Sequence, residues 1–171
     1  MNIEGHICLL RALEPRDLDV MYGWENDITI WRESGTVAPF SRHQLSKLIE
    51  EQQFDIYATR QLRLVIESRV GDVVGAVDMF EYDPQHRRAG VGIVVDAGFR
   101  RQGYALDALD TLADYARTVL NLRQLWCSVM EDNSASLHLF RRAGYEECGR
   151  RKSWIITRKG EFDEILFQKL L

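Results

Sequence analysis

The chain of 171 residues is 46% apolar and carries a formal net charge of −4, which is enough apolar material for one well-filled core and short for two typical domains. The lack of a general basic excess excludes nucleic acid as the expected partner, and a mildly acidic surface suits a cationic ligand such as an amine. Cys8, Cys127 and Cys148 are widely spaced with no CxxC pair, so a disulfide framework and a zinc site are excluded, no metal is expected, and buried free thiols are predicted.

Residues 1–10 mix Asn, Glu and His into their apolar residues, unlike a secretory signal, and no apolar run is long enough to span a bilayer. A single domain over residues 1–171 is therefore expected, in the cytoplasm and without a membrane partner. Residues 6–13 read as an opening strand. Glu14, Pro15, Arg16 and Asp17 then lead into a helical pattern of Leu18, Met21, Tyr22 and Trp24, with proline where a helix start tolerates it. After a loop over residues 31–40, Ser41 is a good N-cap with Gln44 three positions on, as in a capping box, and Leu45, Leu48 and Ile49 follow at helical spacing.

From Leu62 the period changes to two. Leu62, Leu64 and Ile66 alternate, Gly71 and Asp72 punctuate, and Val73, Val74, Ala76 and Val77 complete a β-hairpin. A further strand follows the turn at Asp83 and Pro84 and ends in Ile93, Val94 and Val95, an unbroken apolar run expected to be covered on both faces. Gly90 and Gly92 interrupt it, and glycine inside a strand marks a bulge or the close approach of another backbone or a ligand. The strongest helix comes next, with Ala105, Leu109, Leu112, Ala116 and Val119 on one stripe. A strand over residues 124–129, a helix over Ser134–Arg142 stopped by Gly144, and two strands turning at Lys159 and Gly160 complete the chain.

Between the strand ending at Val95 and the long helix lie Arg100, Arg101, Gln102, Gly103, Tyr104 and Ala105. Two cations and a glycine at a helix N-terminus can hold an anion, because free N–H groups and the positive end of the helix dipole face one point. An ordinary strand-to-helix turn with solvated arginines is the competing reading of this segment alone. The segment resembles the R/Q-x-x-G-x-G/A motif of the GNAT superfamily of N-acetyltransferases, with Arg100, Gly103 and Ala105 at the defining positions. Residues 133–145 resemble that superfamily's N-x-x-[AS]-x-x-x-[YF]-x-x-x-G-[FY] segment through Asn133, Ser136, Phe140, Gly144 and Tyr145. The order of elements is similar over essentially the whole chain. The resemblance implies an α/β (α+β) fold, a mixed and largely antiparallel sheet of about seven strands with about four helices, its central strands splayed for acetyl-CoA. Residues 86–89 and 119–122 are most similar to the spermidine and diamine N-acetyltransferases, which acetylate polyamines, and the layout also resembles the ribosomal-protein N-terminal acetyltransferases.

Acetyl transfer to an amine needs a thioester held in extended form, a neutral amine aimed at its carbonyl, and stabilisation of the oxyanion and the leaving thiolate. The resemblance assigns the extended arm of acetyl-CoA to the backbone of Ile93, Val94 and Val95, its pyrophosphate to residues 100–105, and further contacts to Asn133 and Phe140. Asp78 and Glu81 are the nearest carboxylates. Their odd spacing puts them on opposite strand faces unless the strand is irregular, and Glu81 is the preferred acceptor ligand or water-relayed base. Glu33 is a further candidate for a cationic tail. Many relatives carry tyrosine where this chain has Phe140, which has no proton to give. Ser136 one helical turn earlier as donor, solvent protonation of a tolerable thiolate, and reduced activity all remain open. His86 and His138 lack partners for a triad or metal set, while Trp24, Trp31, Trp126 and Trp154 are core or cleft-wall residues. The expected reaction is acetyl transfer to a small-molecule primary amine of polyamine or diamine type, compatible with a homo-oligomer. Transfer to a protein N-terminus or antibiotic amine, and a non-catalytic acyl-CoA-binding module, are the alternatives.

Overall fold

In the computed structural model, which describes residues 3–51 and 55–171 and the backbone alone of Glu33, eight strands form one sheet. The strands are β1 (Ile3–Glu4), β2 (Cys8–Ala12), β3 (Leu62–Ser68), β4 (Val73–Asp83), β5 (Arg88–Val95), β6 (Gln124–Met130), β7 (Glu146–Thr157) and β8 (Gly160–Leu170). They lie side by side in the order β1-β2-β3-β4-β5-β6-β8-β7. Every neighbouring pair is antiparallel except β5 and β6, which are joined by a helical crossover and run parallel.

Alternation along β3 divides the core between the two faces of the sheet. Leu64 and Ile66 face one cluster with Val77, Met79, Val91 and the apolar stripe Ala108, Leu109, Leu112 and Ala116 of helix α5 (Tyr104–Thr118). Val65 faces the other, with Met21 of α1 (Leu18–Glu25) and Leu45 of α3 (Arg42–Glu51). The predicted capping box at the start of α3 forms reciprocally: the Gln44 backbone N–H donates to Ser41 Oγ at 3.1 Å, and the Ser41 backbone N–H donates to Gln44 Oε1 at 2.8 Å. Helix α6 (Ser134–Arg142) follows β6 and is stopped by Gly144 at φ +80°.

The four longer helices are those read from the periodicity. One-turn helices α2 (Trp31–Ser34) and α4 (Ile56–Thr59) are additions. The segment expected as a loop over residues 31–40 therefore begins with a helical turn, ended by left-handed Gly35 and tied back by the Trp31 indole N–H, which donates to Glu25 O at 2.9 Å. The eighth strand is the two-residue β1, too short for any period to reveal. Cys8 and Cys127 are buried, but Cys148 lies exposed on β7, contrary to the expectation for all three thiols. Among the described residues no helix is long and apolar enough to cross a membrane.

Candidate active site

Strands β5 and β6 pair only at Arg88, Ala89 and Gly90 against Gln124, Leu125 and Trp126, although both continue for several residues. Beyond Gly90 they diverge. At the divergence the Phe80 ring takes the space a Gly90 side chain would need: a Cβ there would lie 2.3 Å from it. Phe80 in turn packs edge-on against Trp126, with ring centroids 5.3 Å apart. Ile93, Val94 and Val95 are consequently half-buried, not covered on both faces as their apolar run suggested.

The phase of β5 decides which main-chain groups face the opening. Asp96 N–H donates to Val74 O of β4 at 2.8 Å. With a period of two, Val95 and Ile93 direct their N–H and C=O groups the other way, towards the gap left by β6. One of these carbonyls is engaged: Arg100 Nε donates to Val95 O at 3.0 Å. The rest of this edge offers an extended amide-bearing ligand the ladder that a neighbouring strand would have provided.

The strand leads through a short turn capped by Asp96 into the predicted loop. Arg101 and Gly103 both adopt left-handed backbone, at φ 61° and 93°, and turn the chain into α5. Gly103 is the N-cap and has no side chain to occupy the leading N–H groups of the helix; the first intrahelical bond runs from Asp107 N–H to Gly103 O at 3.1 Å. Arg100, Arg101, Gln102 and Gly103 are exposed, while Tyr104 and Ala105 are half-buried. Open N–H groups, a dipole end and two guanidinium side chains form an arrangement that can hold an anion.

Two cavities flank β5. The first, about 310 Å³, lies between α1 and the end of the strand and is lined by Val20, Trp24, Asp27, Val94, Val95, Asp96 and Arg100 among others. The second, about 160 Å³, opens at the divergence and is lined by Arg32, Gly92, Ile93, Ser128, Asn133, Ser136, Phe140 and Glu164 among others. Asn133 caps α6 by accepting from Ser136 N–H at 3.1 Å, which leaves its amide NH2 available as a donor. Phe140 is buried edge-on against Tyr145, centroids 5.1 Å apart. The Tyr145 hydroxyl is buried without a hydrogen-bond partner, and burial raises its pKa. Tyr145 does not line the cavity, so it does not stand in for the missing phenol.

The sequence-predicted carboxylates separate in space. The Asp78 carboxylate is held by Arg63 on the adjoining strand at 2.6 and 3.0 Å, and Arg63 also bonds Glu25. Among the described residues the Asp78 and Glu25 carboxylates share that guanidinium. Glu81 sits at an irregularity of β4 with φ 49° and is exposed; it lines neither cavity. The regular alternation assumed for Asp78 and Glu81 is thus broken between them. The Glu33 side chain lies outside the described residues. Burial pushes the thiols of Cys8 and Cys127 up to about 12, with the Asp107 carboxylate adding to the effect at Cys8, so neither is a nucleophile at neutral pH.

Among the cavity-lining residues that the sequence does not single out are Val20, Asp96, Arg32 and Glu164. Glu164 had a signal, because it alternates with buried Ile165 and Phe167 and so falls on the opposite face of β8. Arg32 had none. It reaches the cavity through a fold-level contact, an ion pair with Asp132 at 2.9 Å.

Residues 8–146 match the family model of the acetyltransferase (GNAT) domain. The chain is 29% identical over 145 residues to the spermidine N(1)-acetyltransferase of Escherichia coli strain K12, covering 85% of this chain and 76% of that protein. It is equally 29% identical over 143 residues to the spermidine N(1)-acetyltransferase of Vibrio cholerae, covering 82% and 76%. The crystal structure of spermidine N-acetyltransferase from Vibrio cholerae in complex with CoA and spermine is similar over 94% of each chain, with a TM-score of 0.85 at 25% identity. With its diverging β5 and β6 and an open helix N-terminus beside them, the chain belongs to the GNAT acetyltransferase family.

Proposed function

We propose that the protein transfers the acetyl group of acetyl-CoA to a primary amine of a polyamine or diamine. The observation that carries this reading is the divergence of β5 from β6 beside the uncapped start of α5, a hydrogen-bonding edge ending at an anion site. The residues fit the cosubstrate: Gly103 and its neighbours leave the leading N–H groups of α5 open to a pyrophosphate, and Arg100 and Arg101 add charge. Val95, Val94 and Ile93 would hold the amide-bearing arm along the strand, and Gln102, Tyr104 and Ala105 would shape the turn around it. Acetyl-CoA supplies an acetyl group already activated as a thioester.

The second cavity is the reaction chamber in this reading. The Asn133 NH2 would anchor the end of the arm, Phe140 would exclude water from one wall, and the Ser136 hydroxyl would hydrogen-bond the departing thiolate and relay to it the proton that the attacking amine gives up. Glu81 and Asp78 would present carboxylates to the acceptor's approach, together with Glu33. Polyamine is favoured over other amines by the names of the relatives and by those carboxylates. The protein is read as one cytoplasmic domain acting on a small molecule without nucleic acid or a membrane, and a homo-oligomer is compatible with this.

Incubating the pure protein with acetyl-CoA and a panel of spermidine, spermine, diamines and N-terminal peptides tests the reading by thiol release. Faster release with the polyamines than with the peptides is expected; no release above background with any amine overturns it. Phe140→Tyr tests the chamber. If a phenol at this position reaches the thiolate, kcat is expected to hold or rise, about ten-fold at most. A sharp fall in a variant of unchanged thermal stability would show that the Phe140 ring shapes the acceptor space instead.

A further inference from the structure

We infer that Glu164 is the carboxylate that receives an ammonium group of the acceptor, and that Arg151 occupies its place until the acceptor arrives. The inference rests on the amine-acetylating reading above. Glu164 is the one carboxylate among the described residues lining the cavity at the strand divergence, and it shares that small space with Asn133, Ser136 and Phe140. On β8 it lies opposite Met130 of β6 and Arg151 of β7, next to the core position Ile165 and so on the other face from Ile165 and Phe167. Its side chain is 13% exposed, so it is a largely desolvated anion that needs a cationic partner.

The partner it has comes from outside the cavity. Arg151 Nη1 donates to Glu164 Oε2 at 2.6 Å, but the Arg151 side chain is 47% exposed. Arg151 belongs to the exposed outer strand β7, and after it the pairing with β8 is interrupted until Ile155, with Ser153 at φ 47°. Its guanidinium at the same time lies 5.0 Å from the ring centroid of exposed Trp154, a second contact that does not depend on Glu164. An ion pair with one end in water contributes little to stability, so exchanging the guanidinium for a substrate ammonium costs little, whereas the buried carboxylate keeps a full charge partner in both states. Glu164 is thereby a specificity residue for cationic acceptors, and Arg151 competes with them.

A purely structural bridge would respond alike to loss of either partner; the competition does not. Glu164→Gln is expected to raise the spermidine KM about ten-fold or more while the acetyl-CoA KM stays within about two-fold. Arg151→Gln, at the exposed edge, is expected to lower the spermidine KM about three-fold by removing the competitor. Calorimetric titration of spermidine into the CoA-bound protein gives the same comparison without turnover. Opposite shifts for the two variants in KM or Kd support the inference. Equal shifts, no shift, or no spermidine binding by the wild type overturn it. Acetylation of spermidine with an unchanged KM in Glu164→Gln overturns the Glu164 assignment alone, whereas spermidine binding without thiol release from any amine overturns the acetyltransferase reading alone.

Discussion

Gly103→Glu is expected to weaken CoA binding at least about 100-fold while the protein stays folded. Position 103 is the N-cap of α5 at φ 93°, where the leading N–H groups of the helix converge. A carboxylate there meets a bound pyrophosphate at close range; near a surface with an effective dielectric of about 20, two unit charges about 5 Å apart repel by roughly 3 kcal/mol, equivalent to about two decades in affinity. Space is not the obstacle, because a Cβ at 103 would come no closer than 3.4 Å to any neighbour outside the chain junction, and that neighbour is the flexible end of Ile7. Left-handed backbone costs a non-glycine residue about 1 kcal/mol, which Gly103→Gln shares without the charge. Calorimetric titration with CoA should therefore find Gly103→Gln intermediate and Gly103→Glu without measurable binding. Near-wild-type affinity in a folded Gly103→Glu protein would falsify the anion-site assignment.

The segment around Gly103 was legible because its signals are local: a glycine, two arginines and the start of a strong apolar stripe sit in consecutive residues. The same holds for the Ser41 and Gln44 capping box and for Asn133 ahead of α6, where the side chain that caps and the N–H it caps are three residues apart. The half-exposure of Ile93, Val94 and Val95 was not legible, because an apolar run looks the same whether its second neighbour is present or has diverged. Nor was the irregularity at Glu81, since a left-handed glutamate leaves no compositional mark and strand alternation is assumed through it. Glu164 and Arg32 reach one cavity from β8 and α2, more than a hundred residues apart, and only the sheet order brings them together. The ion pair of buried Arg11 with Glu67, 56 residues on and across the β2–β3 pairing, is likewise written in the topology and not in any window of sequence.

Asp107→Asn is expected to be strongly destabilising, lowering stability by about 3 kcal/mol and Tm by roughly 6–12 °C. Asp107 lies in the first turn of α5 and its carboxylate accepts from His6 N–H at 2.9 Å, Ile7 N–H at 2.9 Å, Cys8 N–H at 3.0 Å and the Cys8 thiol at 3.2 Å. It thereby ties the turn between β1 and β2 to the start of the helix, with Ile7 reaching beside Gly103. An amide has one acceptor oxygen, so whichever way the substituted side chain turns, its NH2 faces backbone donors that are then left without a partner. Burial alone would raise the Asp107 pKa, but the N–H donors from His6 and Ile7 and the Cys8 bonds outweigh it and hold the carboxyl below its usual range. A depressed folded pKa contributes stability that is complete above the unfolded value near 4 and is lost as pH falls through the lower folded value. Wild-type Tm should thus fall on acidification below about pH 4, as Asp17, which burial would raise but the Arg11 guanidinium depresses, also requires. The Asp107→Asn protein should start lower and fall less steeply over that window, and amide exchange at His6, Ile7 and Cys8 should accelerate. Parallel Tm curves for the two proteins through the acid range would mean that the carboxylate charge is not what holds the turn to α5.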